Sequence, residues 1–204
     1  MAAMVLVSGA FVSCEDDDDD DVKNQSEFVG TWEAESFKAP KASNAMHKEG
    51  KFADMPAGHV DGMGLGGLMK LVLKEDMSVE FGVKMPASHK PMWKEEGEKV
   101  VISMEMPKSE GGAEHSGAQA GQAEHASNDV LMAIIMLKPE LKKDGDKLVY
   151  VAKLDEMIAR SKSVMGQMPK GHEAQKKMYE AAIAKMESLK GMMGEELSIY
   201  YVKK

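Results

Sequence analysis

The sequence predicts a mainly β fold: an antiparallel barrel or half-barrel of about eight strands, with an α-helical insertion before the last strand. Three observations predict it. Short runs alternate apolar and polar residues with the two-residue period of a half-buried strand. Turn residues separate these runs, and Asp144-Gly145 is a strong hairpin signal. Helical spacing is confined to one late stretch, between Leu154 and Met193.

The first strand is expected over Phe28 to Phe37, with Trp32, Ala34 and Ser36 on one face. Residues 38–67 are rich in Ala, Gly, Pro and Met and read as a loop insertion, with one short helix near Ala42 to Glu49. Leu68 to Leu73 and Ser78 to Val83 read as a hairpin across Lys74-Glu75-Asp76-Met77. A second hairpin joins Met92-Trp93-Lys94 to Lys99 to Met106 around Glu96-Gly97-Glu98. Val100, Ile102, Met104 and Met106 alternate toward the interior, while Ser103 and Glu105 alternate toward water.

Residues 109–129 consist mostly of Gly, Ala, Glu, Gln and Ser, with Ala-Glu-His occurring twice, and read as a disordered loop insertion. Val130 to Leu137 is a continuous apolar run, expected as a buried strand. Leu148 to Leu154 is expected to pair with it across Lys143-Asp144-Gly145-Asp146. A first helix carries Leu154, Met157, Ile158 and Met165 and ends near Gly166 to Pro169. A second spans Gly171 to Met193 on a stripe of Met178, Ala182, Met186, Leu189 and Met193, and Gly194 stops it. Leu197 to Val202 is the last strand.

Composition narrows the function classes. The chain of 204 residues carries a net charge of −8 and a single arginine, Arg160. With no basic stripe, nucleic acid is not an expected partner. Aromatic residues make up only 5% against 20 methionines, so Met fills space that Leu and Phe usually fill. No G-x-S-x-G or H-E-x-x-H motif occurs. Gly62-x-Gly64-x-Gly66-Gly67 leads into a strand, whereas a phosphate cradle needs a helix N-terminus there. Neither an enzyme nor a cofactor is expected.

The single cysteine, Cys14, closes an apolar stretch of thirteen residues and opens an acidic run, Glu15 to Asp21. One cysteine excludes an intramolecular disulfide, so the core alone must hold the fold. The apolar stretch is shorter than the roughly 20 residues that span a bilayer but suits a secretory signal of about 7–15 apolar residues. Phe11-Val12-Ser13-Cys14 resembles the lipobox of bacterial lipoproteins. That resemblance implies lipidation of Cys14 and a membrane partner through the lipid. The expected organisation is a signal peptide at 1–13, a lipidated and acidic tether at 14–27, and one domain at 28–204 with helices at 154–193. The acidic stretch is similar to the export tether of surface lipoproteins in Bacteroidetes. The expected location is the bacterial cell envelope, lipid-anchored on the periplasmic or the surface face of the outer membrane.

Val29-Gly30-Thr31-Trp32 is similar to the Gly-x-Trp element of lipocalins and lipocalin-like bacterial proteins. Trp93 to Val101 and Asp144 to Val149 resemble later segments of the same family. The resemblance implies a barrel holding a small apolar or amphiphilic ligand. The interior candidates are Trp32, Phe81, Trp93, Val100, Ile102, Met104, Leu148 and Tyr150. Two alternatives stand beside it. One is a surface-tethered structural or interaction protein with a solid core, in which the Gly171 to Met193 helix also suits a protein partner. The other is a periplasmic copper-binding protein, because thioether and imidazole are ligands that copper selects. Its weak candidates are His47 and His59, with Met46, Met55 and Met63 beside them, and His115 and His125.

Overall fold

The computed structural model describes residues 26–56, 58–85, 90–105, 131–169 and 171–204. Among these residues, nine strands form one antiparallel sheet. They are β1 Gly30–Lys38, β2 Glu49–Lys51, β3 Lys70–Leu73, β4 Val79–Phe81, β5 Lys90–Glu95, β6 Lys99–Glu105, β7 Glu140–Asp144, β8 Lys147–Lys153 and β9 Glu196–Lys203. The helices are α1 His59–Gly62, α2 at 131–136, α3 Leu154–Gly166 and α4 Glu173–Met193. Leaving aside β2, a short partner of β1, each strand neighbours the next in sequence and β9 returns to β1. The result is a nearly closed, eight-stranded up-and-down barrel. Its seam lies between β4 and β5, which share the bridge Ser78–Met92 and the bond from the Trp93 N–H to the Met77 carbonyl, 2.7 Å.

The two ends of the barrel differ. At one end the strands turn tightly: β3 to β4 over 74–78, β5 to β6 over 96–98, and β7 to β8 over 145–146. Gly97 and Gly145 supply the positive φ that these turns require, 66° and 64°. All the long connections lie at the other end, including the helices. Trp32 plugs the tight-turn end. Its indole N–H donates to the Phe28 carbonyl at 2.8 Å, and both side chains are buried. A large side chain with one satisfied polar atom suits that role.

The β-rich reading, the first two hairpins and the two C-terminal helices agree with the structure. Three local expectations need correction. First, Val130 to Leu137 is not a strand: 131–136 is helical. Leu131, Met132, Ala133, Ile134 and Ile135 are all buried. A helix covered on every side shows no polar face, so its sequence carries no 3.6-residue signature. Second, the partner of β8 is therefore β7, the largely charged segment Glu-Leu-Lys-Lys-Asp, in which only Leu141 faces the core. Third, Ser36 does not share the face of Trp32 and Ala34. The register against β9 passes from Ala34–Tyr201 to Ser36–Tyr200, so Glu35 is an extra, bulged residue and Phe37 turns inward. Glu35 instead pairs with Lys147 of β8 at 2.7 Å, and that ammonium holds its carboxyl below the usual range.

The 38–67 connection is also more structured than expected. It holds β2, α1 and 3₁₀ turns at Ala45–His47, Phe52–Asp54 and Gly66–Leu68. Gly66–Leu68 lies where the sequence suggested the start of β3.

Candidate functional site

The interior candidates that follow from the lipocalin-like resemblance come together. Trp32, Trp93, Val100, Ile102, Leu148 and Tyr150 are buried in one cluster, and Phe81 and Met104 pack against it half-buried. Cross-strand pairs explain the grouping: Trp93 stands opposite Ile102 on β6, and Tyr150 stands opposite Leu141 on β7 and Ile199 on β9.

Alternation alone did not show what fills the space between them. Ile134 and Ile135 of α2 meet Leu71, Phe81, Ile102, Leu141, Tyr150 and Tyr201 around a cavity of about 10 Å³. That is about the room one water molecule occupies. Leu131 lies against Gly67, where an added Cβ would come 2.9 Å from a Leu131 methyl. The α2 side chains therefore close the long-loop end of the barrel as Trp32 closes the other.

Two phenols stand inside. The Tyr150 hydroxyl reaches the Met157 sulfur of α3 at 3.6 Å. The Tyr201 hydroxyl is buried with no hydrogen-bond partner. Burial pushes both phenols above their ordinary range, and Tyr150 adds to the effect on Tyr201.

The surface offers larger concavities. The seam between β4 and β5 is a groove of about 780 Å³ that mixes Lys74, Lys84 and Lys90 with Asp76 and Glu80. Pro91 sits on this edge strand and removes a backbone donor, which blunts the edge against further strands. A second groove, of about 310 Å³, lies in the 38–67 connection and is lined by His47, Met55 and His59 with Phe37. Sequence reasoning placed both histidines in this one connection, without the ring contact that joins them. The rings meet with centroids 5.6 Å apart and planes 24° apart. Met63, by contrast, is buried in the core.

The stripe of α4 is covered. Tyr179, Ala182, Ile183, Met186, Leu189 and Met193 are all buried, and α3 packs along this helix. Cys14, the acidic run, Met106, His115, His125 and the 109–129 insertion lie outside the described residues. None of the helices among the described residues is long and apolar enough to cross a membrane. No protein-family model, curated protein or solved structure matches this chain.

Proposed function

We propose that the chain is a lipid-anchored envelope protein whose solid barrel displays the long-loop end for interaction with partners outside the barrel. The filled interior carries this reading. A ligand inside the barrel would have to displace Ile134 and Ile135 from the inward faces of the strands. Tight packing makes that expensive, because a core has no spare volume to yield.

The entry of the chain supports the orientation. Ser26 and Glu27 lie at the tight-turn end. The Ser26 hydroxyl donates to Glu95 at 2.6 Å, and Glu27 pairs with Lys143 at 2.5 Å. The proposed anchor on Cys14 therefore joins the barrel through Ser26, at that end. The helices, the 38–67 connection and the groove of His47 and His59 then point away from the bilayer. The resemblance of Val29 to Trp32 to the lipocalin-like element suits a Trp-plugged barrel, while the ligand it implies finds the interior already filled.

Two measurements test the reading together. Cys14→Ser is expected to move the protein from the membrane to the soluble fraction of the producing cell. A fluorescent fatty acid titrated into the Cys14→Ser protein is expected to show no saturable, one-to-one binding. Such binding, if abolished by Ile135→Trp, would restore an internal ligand. A Cys14→Ser protein that still sediments with membranes would remove the anchor.

A further inference from the structure

The 38–67 connection brings two imidazoles and a thioether to one groove. His47 ends the 3₁₀ turn Ala45–His47, Met55 follows the turn Phe52–Asp54, and His59 opens α1. Each backbone is held locally. The amide of His47 donates to Asn44 at 2.9 Å, that of Met55 to Phe52 at 3.1 Å, and that of His59 to Pro56 at 3.0 Å. The three side chains line one groove of about 310 Å³.

Two observations point to a ligand there. The His47 Nδ1 is buried without a hydrogen-bond partner. Buried polar nitrogens are rarely left so, and each asks for a cause. The ring centroids lie 5.6 Å apart. With metal–nitrogen bonds of about 2.0–2.1 Å, two imidazoles on one ion have ring centres about 5–6 Å apart. The ring separation is therefore that of two imidazoles on one ion.

The donor set selects the ion. Among the described residues no three His, Cys, Asp or Glu side chains are grouped to hold a metal. Glu49 and Asp54 also line the groove but do not group with the two imidazoles as a metal set, and Met55 supplies the one sulfur of its lining. A thioether beside imidazoles favours a soft ion over magnesium, calcium or manganese, which prefer oxygen. We propose that His47, Met55 and His59 form a binding site for Cu(I) at the long-loop end of the barrel. The site stands independently of the anchor and of the filled interior.

The test uses the full chain carrying Cys14→Ser, which removes the one thiol that competes for a soft ion. Silver(I), a redox-inert probe for Cu(I), is titrated while the methionine methyl resonances are followed; Cu(I) is then titrated against a competing chelator. One equivalent of silver is expected to shift the Met55 methyl first. His47→Ala and His59→Ala are each expected to weaken Cu(I) binding at least tenfold. A His115→Ala, His125→Ala double variant is expected to retain the full affinity. An unmoved Met55 methyl at one equivalent overturns the proposal, and so does undiminished affinity in His47→Ala, His59→Ala. Should those variants fail to fold, the wild-type methyl shift still decides.

Discussion

Tyr201 is the residue at which chemistry and packing disagree most plainly. Its ring is buried and stands opposite Ala34 and Leu148, while its hydroxyl has no partner. An unpaired buried hydroxyl costs roughly 1–3 kcal/mol. Tyr201→Phe keeps the ring and removes the oxygen. It is expected to leave stability unchanged or to raise it by about 1 kcal/mol, read from denaturant midpoints. A loss larger than that would mean that the hydroxyl has a partner in solution. The alkaline limb tests the same site. The folded pKa of this phenol is raised by burial and by Tyr150, so the folded state holds the proton more tightly than the unfolded chain does. Stability linked to it is present below the ordinary phenol value of about 10 and falls as pH rises beyond it. Melting temperatures from pH 8 to 11 should decline less steeply in Tyr201→Phe than in the wild type. Parallel declines would remove Tyr201 as a source of the alkaline loss.

At the scale of elements, helix α4 carries two glycines with opposite expectations. Gly191 lies inside the helix, and an added Cβ meets nothing within 4 Å. Gly191→Ala is expected to stabilise the protein by about 0.5–1 kcal/mol, because alanine loses less backbone entropy in a helix. Gly194 ends the helix at φ 82°, and a Cβ there would lie 2.6 Å from the Lys41 carbonyl oxygen. Gly194→Ala is expected to cost about 1–3 kcal/mol, since backbone strain and the contact both oppose it. Thermal melts of the two variants should shift in opposite directions, and equal shifts would contradict this account of the cap. Both helices of this region were legible beforehand, because each pairs an apolar stripe with exposed positions. The 131–136 helix was not, because burial on all sides removed the contrast that periodicity needs. β7 was missed for the reverse reason: four of its five residues are exposed, so its alternation was faint.

The whole molecule is a barrel with one weak line. Every neighbouring strand pair has a ladder except β4 and β5, which meet at one bridge and one further backbone bond. Few hydrogen bonds and a wide groove lower the cost of local opening there. Amide exchange is expected to be fastest, among strand residues, in β4 and in the β4-facing positions of β5, and slowest in β8 and β9. Equal protection around the barrel would show a seam as firm as the other pairings. Alternation in β6 marked its inward positions in advance, and the lipocalin-like resemblance suggested those of β5 and β8, yet whether that interior was empty or filled could not be read. The filling comes from Ile134 and Ile135, which precede β7 in sequence and reach the inward faces of strands from both halves of the chain. The His47 and His59 groove was half legible: residue types suggested the chemistry, but their meeting depends on how 38–67 folds over the barrel mouth.

Alternation, turn residues and helical stripes depend on near neighbours along the chain, so the sequence by itself determined the strand-rich class, the tight turns and the two late helices. Only the tertiary structure decided that a helix fills the barrel, that Glu35 bulges to bring Phe37 inward, and that His47 and His59 stack in one groove. The first two depend on contacts between segments far apart in sequence and the third on how one irregular connection folds, and no local period records any of them.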